Sequence, residues 1–423
     1  MNHLRAASVP PEELEQRPTL ERLFDTAAAL FWEKGFAATS TREIAAAVGI
    51  QQASLYYHID SKQDLLYQLC VSSLEQLLAD VQAAVQQATH PLDRIRILAR
   101  AHLTTLLRYQ KRHVTMLTEL RALAPRHREE VLALRSRYAG LVRSVLESAQ
   151  ESGFVRADIP ARYLNLALLN ILNWAVLWFR GNQALNADQL ADLSAMIYLE
   201  GAALPVVRSR IQLPDLETLP KKGARKNSRG SRQTTSERLL NAAAALFATH
   251  GYAATSTRQI AALLGIRKAS LYYHIGSKEE LLYAICKTSL EQIRADVEAA
   301  LQPVEEPLER TRTLVRAHLE SMLRDQNMHT AALAEMHALS PEKLVQIRQL
   351  RHAYEDVVRS VLETAQTAGV LRCDVPVKYL SLTLLGLLNR VEVWYRPGGA
   401  LSPAQLGDLL AVAFLTGASE ARQ

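Results

Sequence analysis

Laid over itself at an offset of 216 positions, the 423-residue sequence matches itself without a gap. "TSTREIAAAVGIQQASLYYHIDSKQDLLYQLC" (39–70) faces "TSTRQIAALLGIRKASLYYHIGSKEELLYAIC" (255–286), with 22 of 32 positions identical. The same offset aligns "PLDRIRILARAHL" (from 91) with "PLERTRTLVRAHL" (from 307), and "RSVLESAQESGFVRADIP" (from 143) with "RSVLETAQTAGVLRCDVP" (from 359). A period this long is not that of a solenoid; it marks a single domain of about 200 residues written twice. Duplication gives each position an internal comparison.

Each copy reads as all-helical, because apolar residues recur at three and four and no alternating Val/Ile/Thr run appears. In the first copy helices are expected at about 19–34, 41–47, 51–57, 62–88, 91–109, 112–123, 127–151, 161–179 and 187–203, and the second copy repeats them. The expected organisation is an arm (1–18), a head (19–66), a body (67–204), a basic Pro/Gly/Ser-rich linker (205–234), a second head (235–282) and a second body (283–420). With 48% hydrophobic and 22% charged residues the composition is that of a soluble globular chain. No apolar run reaches the roughly 18 residues of a membrane span, and "MNHLRAASVPPEELEQRP" lacks an export h-region, so the expected location is cytoplasmic and no membrane partner is expected. Three Cys, two of them (Cys70 and Cys286) at matching places in apolar helical text, exclude a disulfide framework.

The chemistry concentrates near the start of each copy. Ser40 with Glu43, and Ser256 with Gln259, form capping boxes that open a short helix at Thr41 or Thr257. Gly49 or Gly265 ends that helix with a sharp turn, and a second short helix begins at Gln51 or Arg267. Two short helices joined at a Gly turn make a helix-turn-helix, whose second helix enters the DNA major groove. Ala53 and Leu55 are expected to face inward. Tyr56 and Tyr57 are adjacent on a helix and cannot both be buried, leaving hydroxyl and imidazole groups (with His58) for phosphate oxygens and Gln51, Gln52 and Ser54 for base edges. The alternative is an aromatic cap over a small three-helix core. Lys62 and Lys278 oppose the macrodipole in the first turn of the next helix, and an adjacent anion such as a DNA phosphate would relieve this; a solvated lysine is the other reading.

"TSTREIAAAVGI", "ASLYYHI" and "SKQDLL" resemble the N-terminal DNA-binding pattern of the TetR family of bacterial transcription regulators, and the resemblance extends over nearly all of each half. It implies a three-helix DNA-binding head, a helical ligand-binding body, and dimerisation through the last two helices. The DNA contacts it implies are Ser40, Thr41, Gln51, Gln52, Ser54, Tyr56, Tyr57, His58 and Lys62 in the first copy. In the second they are Ser256, Thr257, Arg267, Lys268, Ser270, Tyr272, Tyr273, His274 and Lys278. Family members pair two identical chains, so the tandem arrangement implies two TetR-like halves packed as an intramolecular pseudo-dimer, with a higher oligomer also possible.

The two heads differ. Gln51-Gln52 becomes Arg267-Lys268, and since Gln suits adenine whereas Arg and Lys suit guanine, an asymmetric operator is expected. Residues 39–70 carry a formal charge of −1 and residues 255–286 carry +2. Lys221, Lys222, Arg225, Lys226 and Arg229 in the linker read either as a basic arm along DNA or as solvated charge.

In the bodies, "WYRPGG" (394–399) is similar to text in TetR-family members that respond to acyl-CoA thioesters, which implies a small hydrophobic or acyl-CoA-like effector. Candidate ligand-facing residues are His102, His113, Trp174 and Trp178 in the first copy and His318, His329, Arg390 and Trp394 in the second. Arg390 with Glu392 also reads as an ion pair. His102/His318, His113/His329 and Glu119/Glu335 match across copies, but no paired-His spacing or Cys cluster marks a metal site, and no metal or cofactor is expected. No Gly-rich phosphate loop or serine elbow points to an enzyme. The expected function is a sequence-specific DNA-binding transcriptional regulator, a repressor released by its effector. The alternative is a ligand-binding or protein-interaction module that does not read DNA specifically.

Overall fold

Capping residues and apolar spacing together set where the helices begin and what they bury. The computed structural model describes residues 19–180, 184–213, 234–267 and 276–417. The first copy forms α1 (Thr19–Lys34), α2 (Thr41–Val48), α3 (Gln52–Leu55), α4 (Lys62–Gln86), α5 (Pro91–Arg108), α6 (Gln110–Glu119), α7 (Pro125–Glu151), α8 (Ala161–Trp178) and α9 (Ala187–Glu200). A one-turn α10 (Pro205–Arg208) follows. The second copy forms α11 (Thr235–His250), α12 (Thr257–Leu264), α13 (Lys278–Leu301), α14 (Pro307–Arg324), α15 (Gln326–Glu335), α16 (Pro341–Thr367), α17 (Val377–Asn389) and α18 (Pro403–Thr416). Among the described residues there is no strand beyond one isolated bridge, Ala203 to Leu371. No helix among them is long and apolar enough to cross a membrane.

The described residues fall into two compact units, one running to Met196 and the other starting at Ile197. In the first, α1, α2 and α4 close over Leu23, Phe31, Ile44, Leu55 and Leu66, and this core runs on into the body through Met116, Leu123 and Val131. Head and body are therefore not separate hydrophobic bodies. Behind them, α5, α7 and α8 pack on one another, and α5 and α7 also pack on α4. In the second unit, α11, α12 and α13 bury Leu239, Phe247, Ile260 and Leu281, and that core likewise continues to Ala331, Leu339 and Ile347.

Three expectations are corrected. The second short helix is a single turn, Gln52–Leu55, rather than 51–57. Beyond it Tyr56, Tyr57 and His58 donate to the carbonyls of Ala53, Ser54 and Leu55, three residues back, so the tail tightens toward 3-10 geometry. The second copy does not repeat α8 in full: α17 stops at Asn389 and a 3-10 turn, Val391–Val393, replaces the stretch that α8 carries to Trp178. There β-branched Val391 and Val393 stand where the first copy has Ala175 and Leu177, better helix formers. Third, the expected linker is anchored where it starts. The Leu204 N–H donates to the Val370 carbonyl at 2.9 Å, and Arg208 Nε donates to the Ala203 carbonyl at 2.9 Å. The basic residues 221–229 lie outside the described residues.

In the second unit Gly201 and its repeat equivalent Gly417 approach backbone to backbone, both at φ +77°. A Cβ on Gly201 would lie 2.3 Å from the Leu415 carbonyl oxygen, and one on Gly417 would lie 2.3 Å from that of Leu199. Only glycine allows both the conformation and the approach.

Candidate nucleic-acid interface and interior polar cluster

The helix-turn-helix of the first copy forms as its caps dictate. The Glu43 N–H donates to the Ser40 hydroxyl at 3.2 Å, and the Ser40 N–H returns a bond to Glu43 Oε2 at 2.9 Å. Lys34 adds an ion pair to Glu43 at 2.9 Å. This bond to Lys34, together with the Ser40 amide and hydroxyl, holds the Glu43 carboxyl down at about 2. Gly49 closes α2 in the left-handed region at φ +81°. Ser256, Gln259 and Gly265 reproduce both ends of α12, with a neutral amide where the first copy has a carboxylate.

Leu55 and Ile59 point into the core and fix the short α3 from beneath. Ala53, expected inside, is exposed, because one turn of helix buries only the face carrying Leu55. Both tyrosines face solvent: Tyr56 is 48% exposed and Tyr57 88%, which excludes the aromatic-cap reading. Gln51, Gln52 and His58 are exposed as well, and Ser54 is half-buried. The Thr41 hydroxyl lies 3.3 Å from the Tyr56 hydroxyl and accepts from Gln52 Nε2 at 3.3 Å. The two short helices are thus tied together along their outer edge, with polar tips presented in one patch before any partner arrives. In the second copy Ser256 and Arg267 are exposed and Thr257 is half-buried; Lys268, Ser270, Tyr272, Tyr273 and His274 lie outside the described residues.

Lys62 finds neutral acceptors inside the head. Its ammonium donates to the carbonyls of Thr39 (2.7 Å), Phe36 (2.8 Å) and Ala37 (3.4 Å) and sits 4.4 Å from the Phe36 ring centroid. Lys278 does the same with the carbonyls of Tyr252 (2.8 Å) and Thr255 (3.0 Å) over the Tyr252 ring. Burial pushes both ammonium pKa values down. These lysines staple the turn before the helix-turn-helix to the helix after it.

In each body the matched histidines are buried side chains on facing helices. His102 on α5 pairs through Nδ1 with the Tyr138 hydroxyl of α7 at 2.5 Å, and His318 on α14 with that of Tyr354 on α16 at 2.6 Å. His329 Nε2 and both ring nitrogens of His113 are buried without a hydrogen-bond partner within the protein, whereas the side chains of Asn173 and Asn389 reach the rings of His102 and His318. The indole nitrogens of Trp174 and Trp394 are buried and unpartnered as well. Burial, with His113 close by, drives His102 down to about 3; burial and the Arg112 charge bring His113 to about 3. Burial takes His318 to about 4, and burial with His318 nearby takes His329 to about 3. All four rings are neutral at pH 7 and can donate or accept, but not supply charge.

Trp178 packs edge-on against Phe179. Arg390 is half-buried, and the buried carboxyl of Glu392 is pushed up to about 7 by desolvation, which the nearby Arg390 charge offsets only in part. Tyr138 and Tyr354 are partners that the sequence reading passed over, although their identity across the copies marks them. Among the described residues no group of three His, Cys, Asp or Glu is placed to hold a metal ion. Cys70 and Cys286 are buried thiols pushed up to about 12.

Two family models match the chain, each twice. One, described as bacterial regulatory proteins of the tetR family, matches residues 23–69 and 239–285; the other, a tetracyclin repressor-like C-terminal domain, matches 88–202 and 304–418. The HTH-type transcriptional repressor KstR2 of Mycobacterium tuberculosis (strain ATCC 25618 / H37Rv) is 28% identical over 180 residues, 42% of this chain and 90% of the relative. KstR2 of Rhodococcus jostii (strain RHA1) is 29% identical over 185 residues, 43% and 90% of the two chains. Among solved structures, the TetR family regulator PfmR from Thermus thermophilus is 32% identical with a TM-score of 0.39, covering 42% of this chain and 96% of its own. With these segments taking in most of its length, the chain belongs to the TetR family of bacterial regulatory proteins and carries the family's N-terminal and C-terminal domains twice over.

Proposed function

We propose that this chain is a sequence-specific transcriptional repressor whose two heads, carried on one polypeptide, engage an asymmetric operator as a single-chain pseudo-dimer. The observation that carries the reading is the exposed edge of the first head, where Tyr57 is 88% exposed and Tyr56 and Gln52 are held by Thr41. Tyrosine hydroxyls and the His58 imidazole suit phosphate oxygens, and Gln51, Gln52 and Ser54 suit base edges. In the second copy Arg267 stands at the position of Gln51, which supports half-sites of different sequence.

An effector enters one or both bodies. Neutral imidazoles and indoles with unpartnered nitrogens favour an uncharged, oxygen-bearing ligand segment such as a carbonyl within an otherwise apolar chain. The relatives named KstR2 are repressors, and a solved structure with a TM-score of 0.40 holds the regulator AibR with isovaleryl coenzyme A and operator DNA. Acyl-CoA thioesters are therefore the first ligands to try. Binding favours a body geometry in which the heads no longer fit the operator.

Footprinting of the intact chain on DNA around its own gene, at fixed salt with and without a panel of acyl-CoA thioesters, tests this. The expected result is one asymmetric protected site, one chain per site, released by a panel member. Two chains per site would replace the pseudo-dimer with a dimer of tandem chains. Absence of specific protection would favour a ligand-binding module.

A further inference from the structure

The helix between head and body carries different chemistry in the two copies. In the first, Arg112 on α6 is 4% exposed and reaches into α1. Its Nε donates to Asp25 Oδ1 at 2.6 Å, while Nη2 donates to the Glu21 carbonyl at 2.9 Å and pairs with Glu21 Oε2 at 2.8 Å. The guanidinium lies against the rings of Tyr109 and Phe24. One turn on, the Thr115 hydroxyl donates to the Ala28 carbonyl at 3.2 Å. In the second copy Met328 and Ala331 occupy these places on α15. Asp25 becomes Asn241, which is exposed, and Glu21 becomes Glu237, which closes the capping box of α11 with Thr234. There α15 meets α11 through an apolar patch of Met328, Ala331 and Ala332.

The two junctions respond differently to displacement. A buried guanidinium held by two carboxylates has a narrow geometry, and moving its helix leaves an uncompensated buried charge. Methionine and alanine against an apolar face slide and repack at little loss. The residue after Arg112 is His113, buried among the interior polar groups with both ring nitrogens unpartnered. A push from the body interior onto α6 therefore acts one residue away from the grip on the head.

We infer that Arg112 makes the first copy the responsive half: its head follows its body, whereas the second head, seated on Met328, keeps its place. This rests on the effector-released reading above. In the full chain, hydrogen exchange of residues 19–34 and 235–250 reads the two heads separately. His113→Trp and His329→Trp act as internal wedges without any ligand, with His113→Phe and His329→Phe as milder versions should the larger ring prevent folding.

The first wedge is expected to speed exchange of 19–34 by on the order of tenfold, and the second to leave 235–250 within about threefold of the parent. Adding Arg112→Met to the first wedge should return 19–34 to within about threefold of Arg112→Met alone. Equal response of both heads to their wedges, or a wedge effect that survives Arg112→Met, overturns the inference. Palmitoyl-CoA is then added to the parent chain. Faster exchange in 19–34 alone supports the latch, and equal acceleration in both heads overturns it. If palmitoyl-CoA moves neither head while the wedges behave as expected, the acyl-CoA reading fails and the latch stands.

Discussion

Lys62 shows how far one residue's surroundings can change its meaning. Its ammonium ties three carbonyls of the turn between α1 and α2 to the start of α4. Lys62→Met should destabilise the first head by about 1–3 kcal/mol in denaturant unfolding, since those carbonyls lose their donor. The four buried histidines give a pH signature. Their folded pKa values, about 3 to 4, lie below the ordinary 6.5, so the unfolded chain binds more protons in between. The stability they confer is complete above pH 6.5 and falls as pH drops from there toward 3. Thermal unfolding between about pH 7 and pH 4 checks this: replacing His113 with Gln should flatten the fall, and an unchanged slope would sink the assignment. Glu392 has the opposite sign. Its carboxyl, raised to about 7, costs stability as pH climbs from about 4.5 to 7, a slope that Glu392→Gln should remove.

At the scale of elements, two glycines separate conformation from crowding. Gly49 sits at φ +81° with open space around it, so Gly49→Ala should cost only the left-handed strain, about 1–2 kcal/mol. Gly201 adds a backbone oxygen 2.3 Å from where a Cβ would be, and Gly201→Ala should cost roughly 4 kcal/mol or more because neither backbone can yield cheaply. Comparable losses in chemical denaturation would mean that the α9 and α18 ends can shift apart. The capping boxes that open α2 and α12 diverge under acid: Glu43 titrates and Gln259 does not, so the cap of α2 weakens as pH falls from about 4.5 toward 2 while that of α12 does not.

Over the whole molecule, one chain offers two unequal heads. If Arg267 reads a guanine, Arg267→Ala should cost about 1–3 kcal/mol and relax preference in one half-site, while Gln52→Ala relaxes it in the other. Competition binding with operators varied one half-site at a time measures this. Loss of preference in both half-sites from either substitution would show that the two heads do not read separate halves. The matched family segments, 23–69 with 239–285 and 88–202 with 304–418, repeat at the offset the sequence itself displays.

The sequence by itself determined the duplication, the all-helical class and the helix-turn-helix, because each rests on local signals: a gapless offset, spacing at three and four, Ser caps and Gly turns. It also showed that at least one of Tyr56 and Tyr57 must face out, since adjacent helical positions diverge. Tertiary structure alone decided the rest. That Lys62 serves carbonyls depends on a turn 23 to 26 residues away. That Arg112 grips α1 depends on side chains 87 to 91 positions distant, and that His113 is neutral depends on how much water the packed helices exclude. Local pattern fixes which residues share a helix face, whereas pKa and pairing depend on what the fold brings to that face.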